Sequence, residues 1–132
     1  MSEVVVSESI LNSVKQFCGY RPDYDAFDSD FKMLINSDLA TLCQLGIGPK
    51  TGFRVLDDSA TWDQFLEGRT DLGWVQEYIS IKVRLIHDPP TSSSILKAYE
   101  EKVKELEWRI VFKNEEGVIV DAVSEDEPDV IF

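Results

Sequence analysis

The chain has 132 residues, of which 13 are Lys or Arg and 25 are Asp or Glu, so its formal net charge is -12. This length favours a single domain, and a hydrophobic fraction of 43% is sufficient for a folded core. Such an acidic chain gains no affinity for phosphates from counterion release, which excludes a protein that grips DNA or an anionic membrane surface. The sequence shows neither a membrane-spanning apolar run nor a signal peptide, so a cytosolic protein with free thiols at Cys18 and Cys43 is expected.

The acidic residues are distributed unevenly along the chain. Residues 1–113 contain 18 acidic and 13 basic residues, a net charge of -5, whereas residues 114–132 contain seven acidic and no basic residues, a net charge of -7. These two values sum to -12. We therefore predict a helical domain over residues 1–113 and an acidic C-terminal tail or arm over residues 114–132.

Apolar residues at helical spacing predict the first two helices. Ser7 is a reasonable N-cap for the first helix, which Gly19 ends. The second helix is predicted from about Ser29 to Leu45, with Asp28 as its cap. Its apolar residues form one stripe, namely Phe31, Leu34, Ile35, Leu39, Leu42 and Leu45.

Glycines and a proline break the helical pattern after Leu45. The segment 53–56 alternates weakly in polarity, which suggests a short strand, so a small β-hairpin or an ordered loop is expected here. Thr61 and Gln64 then have the spacing of a capping box, in which a hydroxyl and a side-chain amide satisfy each other's backbone donors. They predict a short helix that Gly68 ends.

Two apolar stripes indicate that the next helix, capped by Asp71, is central in the fold. Pro89 disfavours helical geometry at Asp88, and Pro89 and Pro90 lack backbone donors, so the helix ends there. The last helix begins among residues 91–94 and packs antiparallel to the central one. The predicted fold is mainly α: a small bundle of about four helices plus a short helix, a minor β-hairpin or loop after the second helix, and an extended C-terminal arm.

A phosphate-binding loop is not supported by the glycines that precede Lys50 and Thr51. Pro49 stands where such a loop requires glycine, and the segment follows a helix rather than a strand. A helix stop followed by a turn explains it better.

Metal binding and catalysis have weak support. Asp23, Asp25, Asp28 and Asp30 lack the glycine and the bidentate glutamate of the common calcium loop, so solvated loop charge is favoured over a metal site. Two cysteines and one histidine are too few for zinc. His87 is best explained as a cation at a helix C-terminus, while a relay with Cys18, Cys43 or Asp88 stays open as an alternative.

Three stretches in order carry a resemblance to a known family: LGIGPKTGF at 45–53, TWDQFL at 61–66 and YISIKVRLIHDPPTSS at 78–93, with Glu107-Trp108-Arg109 fitting near the end. Over roughly residues 9–112 the chain resembles the head-to-tail connector proteins of tailed bacteriophages, also called adaptor or head-completion proteins. The resemblance implies a helical protein of the virion neck, made in the host cytoplasm. It also implies a dodecameric ring beneath the portal, contact with the next neck or tail-completion component, a DNA channel, no enzyme activity and no cofactor.

Two matched segments and the tail supply the candidate contacts between subunits or with partners. The loop after the second helix and the proline corner are candidates, although a folding role is an equal alternative. Two apolar triplets in the tail are too short for a core of their own, so the tail is predicted either to dock on a neighbouring subunit or the portal, or to be disordered. The candidate residues are Gly48, Pro49, Lys50, Thr51, Phe53, Pro89, Pro90, Val118, Ile119, Val120, Val130, Ile131 and Phe132.

The charge distribution also bears on DNA. A neutral or acidic channel wall does not hold phosphates, so DNA is expected to pass without specific binding. The alternative function is an acidic DNA mimic or another interaction protein. A mimic needs carboxylates spaced over a rigid surface, whereas most of the acidic excess lies in the tail.

Overall fold

The computed structural model describes residues 8–115, and five α-helices account for most of them. These are α1 (Ile10–Phe17), α2 (Asp28–Gln44), α3 (Trp62–Leu66), α4 (Trp74–His87) and α5 (Ser93–Glu115), with a short 3-10 turn at Thr70–Leu72. Residues 8–115 contain no β-strand, and a single isolated antiparallel bridge joins Ser9 to Thr61. The predicted small helical bundle is confirmed, with a loop rather than a hairpin after α2.

Helix α4 is the centre of the bundle, as its two apolar stripes predict. It packs against α1, α2 and α5, and Val75, Ile79 and Val83 have no exposed surface. The Tyr78 hydroxyl donates to Glu107 Oε2 over 3.1 Å, while the Arg84 guanidinium lies 5.9 Å from the centroid of the Tyr99 ring. Because the residue numbers run in opposite directions in these two contacts, α4 and α5 are antiparallel.

Three predicted helix caps need correction. Ser9 caps α1, accepting from the Asn12 N–H over 3.2 Å, whereas Ser7 lies outside the described residues. Asp28 is the first residue of α2 rather than its cap, because its carboxylate forms an ion pair with Lys15. Asp71 lies in the 3-10 turn, where its carboxylate accepts from Arg69, and α4 begins after Gly73.

The predicted capping box of α3 is confirmed. Thr61 Oγ1 accepts from the Gln64 N–H over 3.2 Å, and the Thr61 N–H donates to Gln64 Oε1 over 3.1 Å. The buried Trp62 indole then donates to Ser13 Oγ over 2.8 Å. This hydrogen bond fixes α3 against α1, since an unpaired buried indole N–H would be costly.

The short strand predicted at 53–56 is wrong, because this segment pairs with a side chain instead of a second strand. The Val55 N–H donates to Asn36 Oδ1 over 2.7 Å, and Asn36 Nδ2 donates to the Val55 carbonyl over 3.0 Å. A primary amide offers both a donor and an acceptor, so Asn36 satisfies the two backbone groups that a neighbouring strand would otherwise take.

Candidate contact surfaces

The loop after α2 is held against the bundle by close packing at Gly48. This residue has a φ of +98°, and a Cβ there would lie 2.5 Å from Phe65 Cε1. The Phe53 ring packs edge-on against the same Phe65, with centroids 5.4 Å apart. Gly48 and Phe53, two of the candidate contact residues, therefore have a folding role.

The tip of this loop is the part that faces outward. Lys50 and Thr51 are exposed, whereas Pro49 is half-buried. Two members of the predicted loop cluster thus remain accessible to another protein, and both are polar.

The proline corner between α4 and α5 presents an apolar surface. Asp88 has φ -154° and ψ 72°, so the helix ends where the sequence predicts. Pro89 is exposed and Pro90 half-buried. On either side, Ile86 is 65% exposed and Ile95 is 48% exposed. The sequence did not single out these two isoleucines, because each also fits the helical apolar pattern of its own helix.

The loop and the corner lie at opposite ends of α2, so the structure does not bring the two predicted clusters together. The loop follows the C-terminal residue of α2. The corner follows His87, whose ring lies 5.0 Å from that of Phe27 and 4.6 Å from that of Phe31, at the other end of α2. A helix of 17 residues separates its ends by about 25 Å.

The remaining candidates, Val118, Ile119, Val120, Val130, Ile131 and Phe132, lie outside the described residues. Their predicted contact role stays a prediction.

The geometry does not support the relay considered for His87. Its Nε2 lies 3.1 Å from the Tyr20 hydroxyl, within a cluster of aromatic rings. Cys18 is buried, and loss of solvent raises the pKa of its thiol to about 11, so it stays protonated near neutral pH. A protonated thiol is a poor nucleophile.

Two of the four aspartates considered for a metal site, Asp23 and Asp28, form ion pairs. Asp23 accepts two hydrogen bonds of 3.1 Å from Arg21, and Asp28 lies 2.7 Å from the ammonium of Lys15. Among residues 8–115 no three His, Cys, Asp or Glu side chains are grouped so that they could hold a metal ion.

A polar network beneath α5 was missed at the sequence level. Lys82 Nζ lies 3.8 Å from Asp38 and 3.9 Å from Glu107, beside the Tyr78 hydroxyl. Burial raises the pKa of Asp38 to about 6, against the opposing effect of Lys82. Tyr78 and Lys82 lie one turn apart on α4, whereas Asp38 and Glu107 come from α2 and α5, and no spacing along the chain relates those two carboxylates to α4.

A family model that matches the whole bundle identifies the family of this chain. A family model described as phage connector protein matches residues 10–117, from the first residue of α1 to beyond the last described residue of α5. The chain belongs to the phage connector protein family. No curated protein and no solved structure gives a significant match.

Membership of the phage connector family gives the chain a structural role in the virion, in contact with other head or tail proteins. Each of the three stretches that carried the resemblance lies within the matched range. In the part of this connector that the structure describes, every helix is too short or too polar to cross a membrane.

Proposed function

We propose that this connector is a head-to-tail adaptor that forms a ring, a dodecamer as the family resemblance implies, beneath the portal. The ring joins the portal to the next neck or tail-completion component and leaves a channel for DNA. The proposal is carried by the position of the two candidate contact clusters at opposite ends of α2. A protein that joins two neighbours in a stack needs a contact surface at each end.

The two ends suit different contacts. At the corner, Ile86, Pro89 and Ile95 offer apolar surface, which gains free energy when a partner removes it from water. At the other end, Lys50 and Thr51 offer an ammonium and a hydroxyl to polar groups of a partner. Weak contacts of this kind become collectively strong when every copy in a ring makes them.

The charge of the body fits passage of DNA through the ring. Residues 1–113 have a net charge of only -5, so a channel built from them does not bind phosphates strongly, and the duplex slides through it.

The tail contributes apolar contacts in this assignment. The triplets Val118–Val120 and Val130–Phe132 act as apolar anchors on a neighbouring subunit or the portal.

Native mass spectrometry of the full chain, with and without purified portal, tests the proposal. A complex of one portal with a ring of this chain is expected, and a free monomer without portal is compatible because the portal can template the ring. Absence of any ring or portal complex would overturn the proposal.

A pair of matched variants tests the corner. Ile95→Asp places a charge on the exposed apolar surface, so portal or neighbour binding should weaken. Lys97→Asp introduces the same residue at a nearby exposed position of α5 and should bind as the parent does. Equal binding by both variants would remove the corner from the contact surface.

A further inference from the structure

One groove differs from the rest of this acidic molecule in its charge. Two adjoining cavities of about 510 and 580 Å³ lie between α2 and residues 50–56 and share Asn36, Ala40 and Arg54 in their linings. We call them together the α2–loop groove. Lys32, Lys50 and Arg54 line it, and no Asp or Glu is part of either lining.

Two further grooves among residues 8–115 do not share this property. One is lined by Glu107 next to Lys82 and Lys104, and the other contains Glu8 and Glu77 without a cation. Three cations without a carboxylate are therefore notable in a body that has 18 acidic and 13 basic residues.

Two of the three cations of the groove, Lys50 and Arg54, have little local compensation. Lys50 and Arg54 are exposed, and neither forms an ion pair with another residue in 8–115. Lys32 donates to the Leu56 carbonyl over 3.3 Å. Asp57 follows the groove, and its carboxylate accepts from the backbone and hydroxyl of Ser59, at 2.9 and 2.6 Å. These hydrogen bonds, and to a lesser extent the charge of Lys32, lower the pKa of Asp57, so Lys32 has a carboxylate near it. An acidic partner would thus meet positive charge.

The groove is also apolar in part. Met33 is 65% exposed and Leu56 is 70% exposed, and both line the cavity nearer the start of α2. An occupant that fits must therefore combine several carboxylates with apolar side chains.

The chain itself carries such a segment. Residues 125–132 read EDEPDVIF, four carboxylates followed by three apolar residues, with no cation. Eight extended residues span about 26–29 Å, and the stretch of α2 from Ser29 to Gln44 that lines the groove is about 22 Å long. The segment therefore matches the α2–loop groove in charge, in apolar content and in length.

The segment also has sufficient reach. Trp108 and Val111 of α5 line a cavity together with Thr41 and Leu45, so α5 ends near the C-terminal half of α2. Residues 116–124 lie between Glu115 and the segment, and nine extended residues span up to about 30 Å. The α2–loop groove is lined by Ala40 and Gln44, which directly precede Thr41 and Leu45 in sequence, so it is within this distance.

We propose that the α2–loop groove binds residues 125–132 of this chain, with the carboxylates on Lys32, Lys50 and Arg54 and the apolar residues on Met33 and Leu56. The proposal rests on the contact role proposed for the tail and names the surface that it contacts. It does not require the ring, because a copy of the protein without portal carries both groove and segment.

Photo-crosslinking of the full chain tests the assignment. With p-benzoylphenylalanine in place of Phe132, crosslinks mapped by mass spectrometry should fall on the groove, chiefly on Met33. Crosslinks within one chain and between two chains both support the proposal, since the surface is the same. Crosslinks confined to other surfaces would overturn it.

Charge reversal then tests the electrostatic part. Combining Lys50→Glu with Arg54→Glu should lower the crosslink yield about five-fold, because two attractions become repulsions. Adding Asp126→Lys with Asp129→Lys should restore it. Lys97→Glu with Lys104→Glu changes the net charge equally outside the groove and should retain the yield. Equal yields from all variants would refute the groove assignment.

Crosslinking is measured without portal, whereas ring formation is measured with portal. A chain that forms a portal ring without groove crosslinks retains the adaptor role and loses the groove assignment. A chain that crosslinks at the groove and forms no ring loses the adaptor role alone.

Discussion

The ammonium of Lys15 lies 2.7 Å from Oδ1 of Asp28, although only 2% of the Lys15 side chain is exposed. The same nitrogen donates to the Pro22 carbonyl over 2.9 Å. One buried cation therefore joins α1, the loop that follows it and the first residue of α2. A buried charge is tolerated only with such partners.

Lys15→Met should lower the free energy of unfolding by about 2–4 kcal/mol, because it leaves Asp28 without its cation; partial exposure of Asp28 keeps the loss below that of a fully buried pair. Urea unfolding followed by circular dichroism measures it. Lys97→Met, on the exposed surface of α5, should stay within about 0.5 kcal/mol of the parent. Equal stabilities for the two variants would contradict a structural role for the Lys15 pair.

Gly48→Ala should be much more destabilising than Gly52→Ala. Both residues have positive φ, +98° and +101°, so each substitution costs about 1–2 kcal/mol in backbone strain. Only at Gly48 does the new Cβ also meet Phe65, at 2.5 Å, whereas nothing lies within 4 Å at Gly52. The difference between the two unfolding free energies measures this collision. Within a Phe65→Leu background, Gly48→Ala should cost less than it does in the parent, because the collision is relieved. Equal losses at both glycines would argue against the collision.

Asp38 should make stability depend on pH in an unusual direction. Burial raises its pKa from 3.8 to about 6, so between about pH 4 and pH 6 the folded chain holds a proton that the unfolded chain releases. The stability contributed by this proton is lost as the pH rises through that range. The side chain of the Asp38→Asn variant is neutral at every pH, so this stability is not lost. The free energy of unfolding of the variant minus that of the parent should therefore be roughly 2 kcal/mol larger at pH 7 than at pH 4.

Urea unfolding of the parent and of Asp38→Asn at several pH values gives this difference. Asp25→Asn, at an exposed position of the first loop, is the matched control because it changes the net charge equally. A pH-independent difference between Asp38→Asn and the parent would show that Asp38 titrates as an ordinary carboxyl group.

Cys18 should resist alkylation in the folded protein. Burial raises the pKa of its thiol from 9.0 to about 11, which leaves about 100-fold less thiolate near neutral pH. Iodoacetamide labelling followed by peptide mass spectrometry should find Cys43, which is half-buried, modified before Cys18. Labelling in urea should remove the difference. Rapid modification of Cys18 in the folded chain would contradict this and would support Cys18 as a nucleophile in the relay considered for His87.

The sequence predicted helix type and order better than helix starts. The apolar period of α4, the prolines after Asp88 and the capping box at Thr61 and Gln64 all act over a few residues, and all are observed. Asp28 and Asp71 were wrongly predicted as helix caps. Each aspartate forms an ion pair instead, Asp28 with Lys15 and Asp71 with Arg69. Local spacing does not reveal that competition.

By itself, the sequence determined that the chain is a helical connector-family protein with a nearly balanced body and an acidic tail, because helical periodicity, helix stops and charge are properties of neighbouring residues. The tertiary structure alone decided which contact candidates are accessible and where they lie. It buried Gly48 against Phe65, exposed Ile86 and Ile95 at the corner, and gathered Lys32, Lys50 and Arg54 in one groove. These relationships join residues that are far apart along the chain, and packing of the helices around α4 sets them.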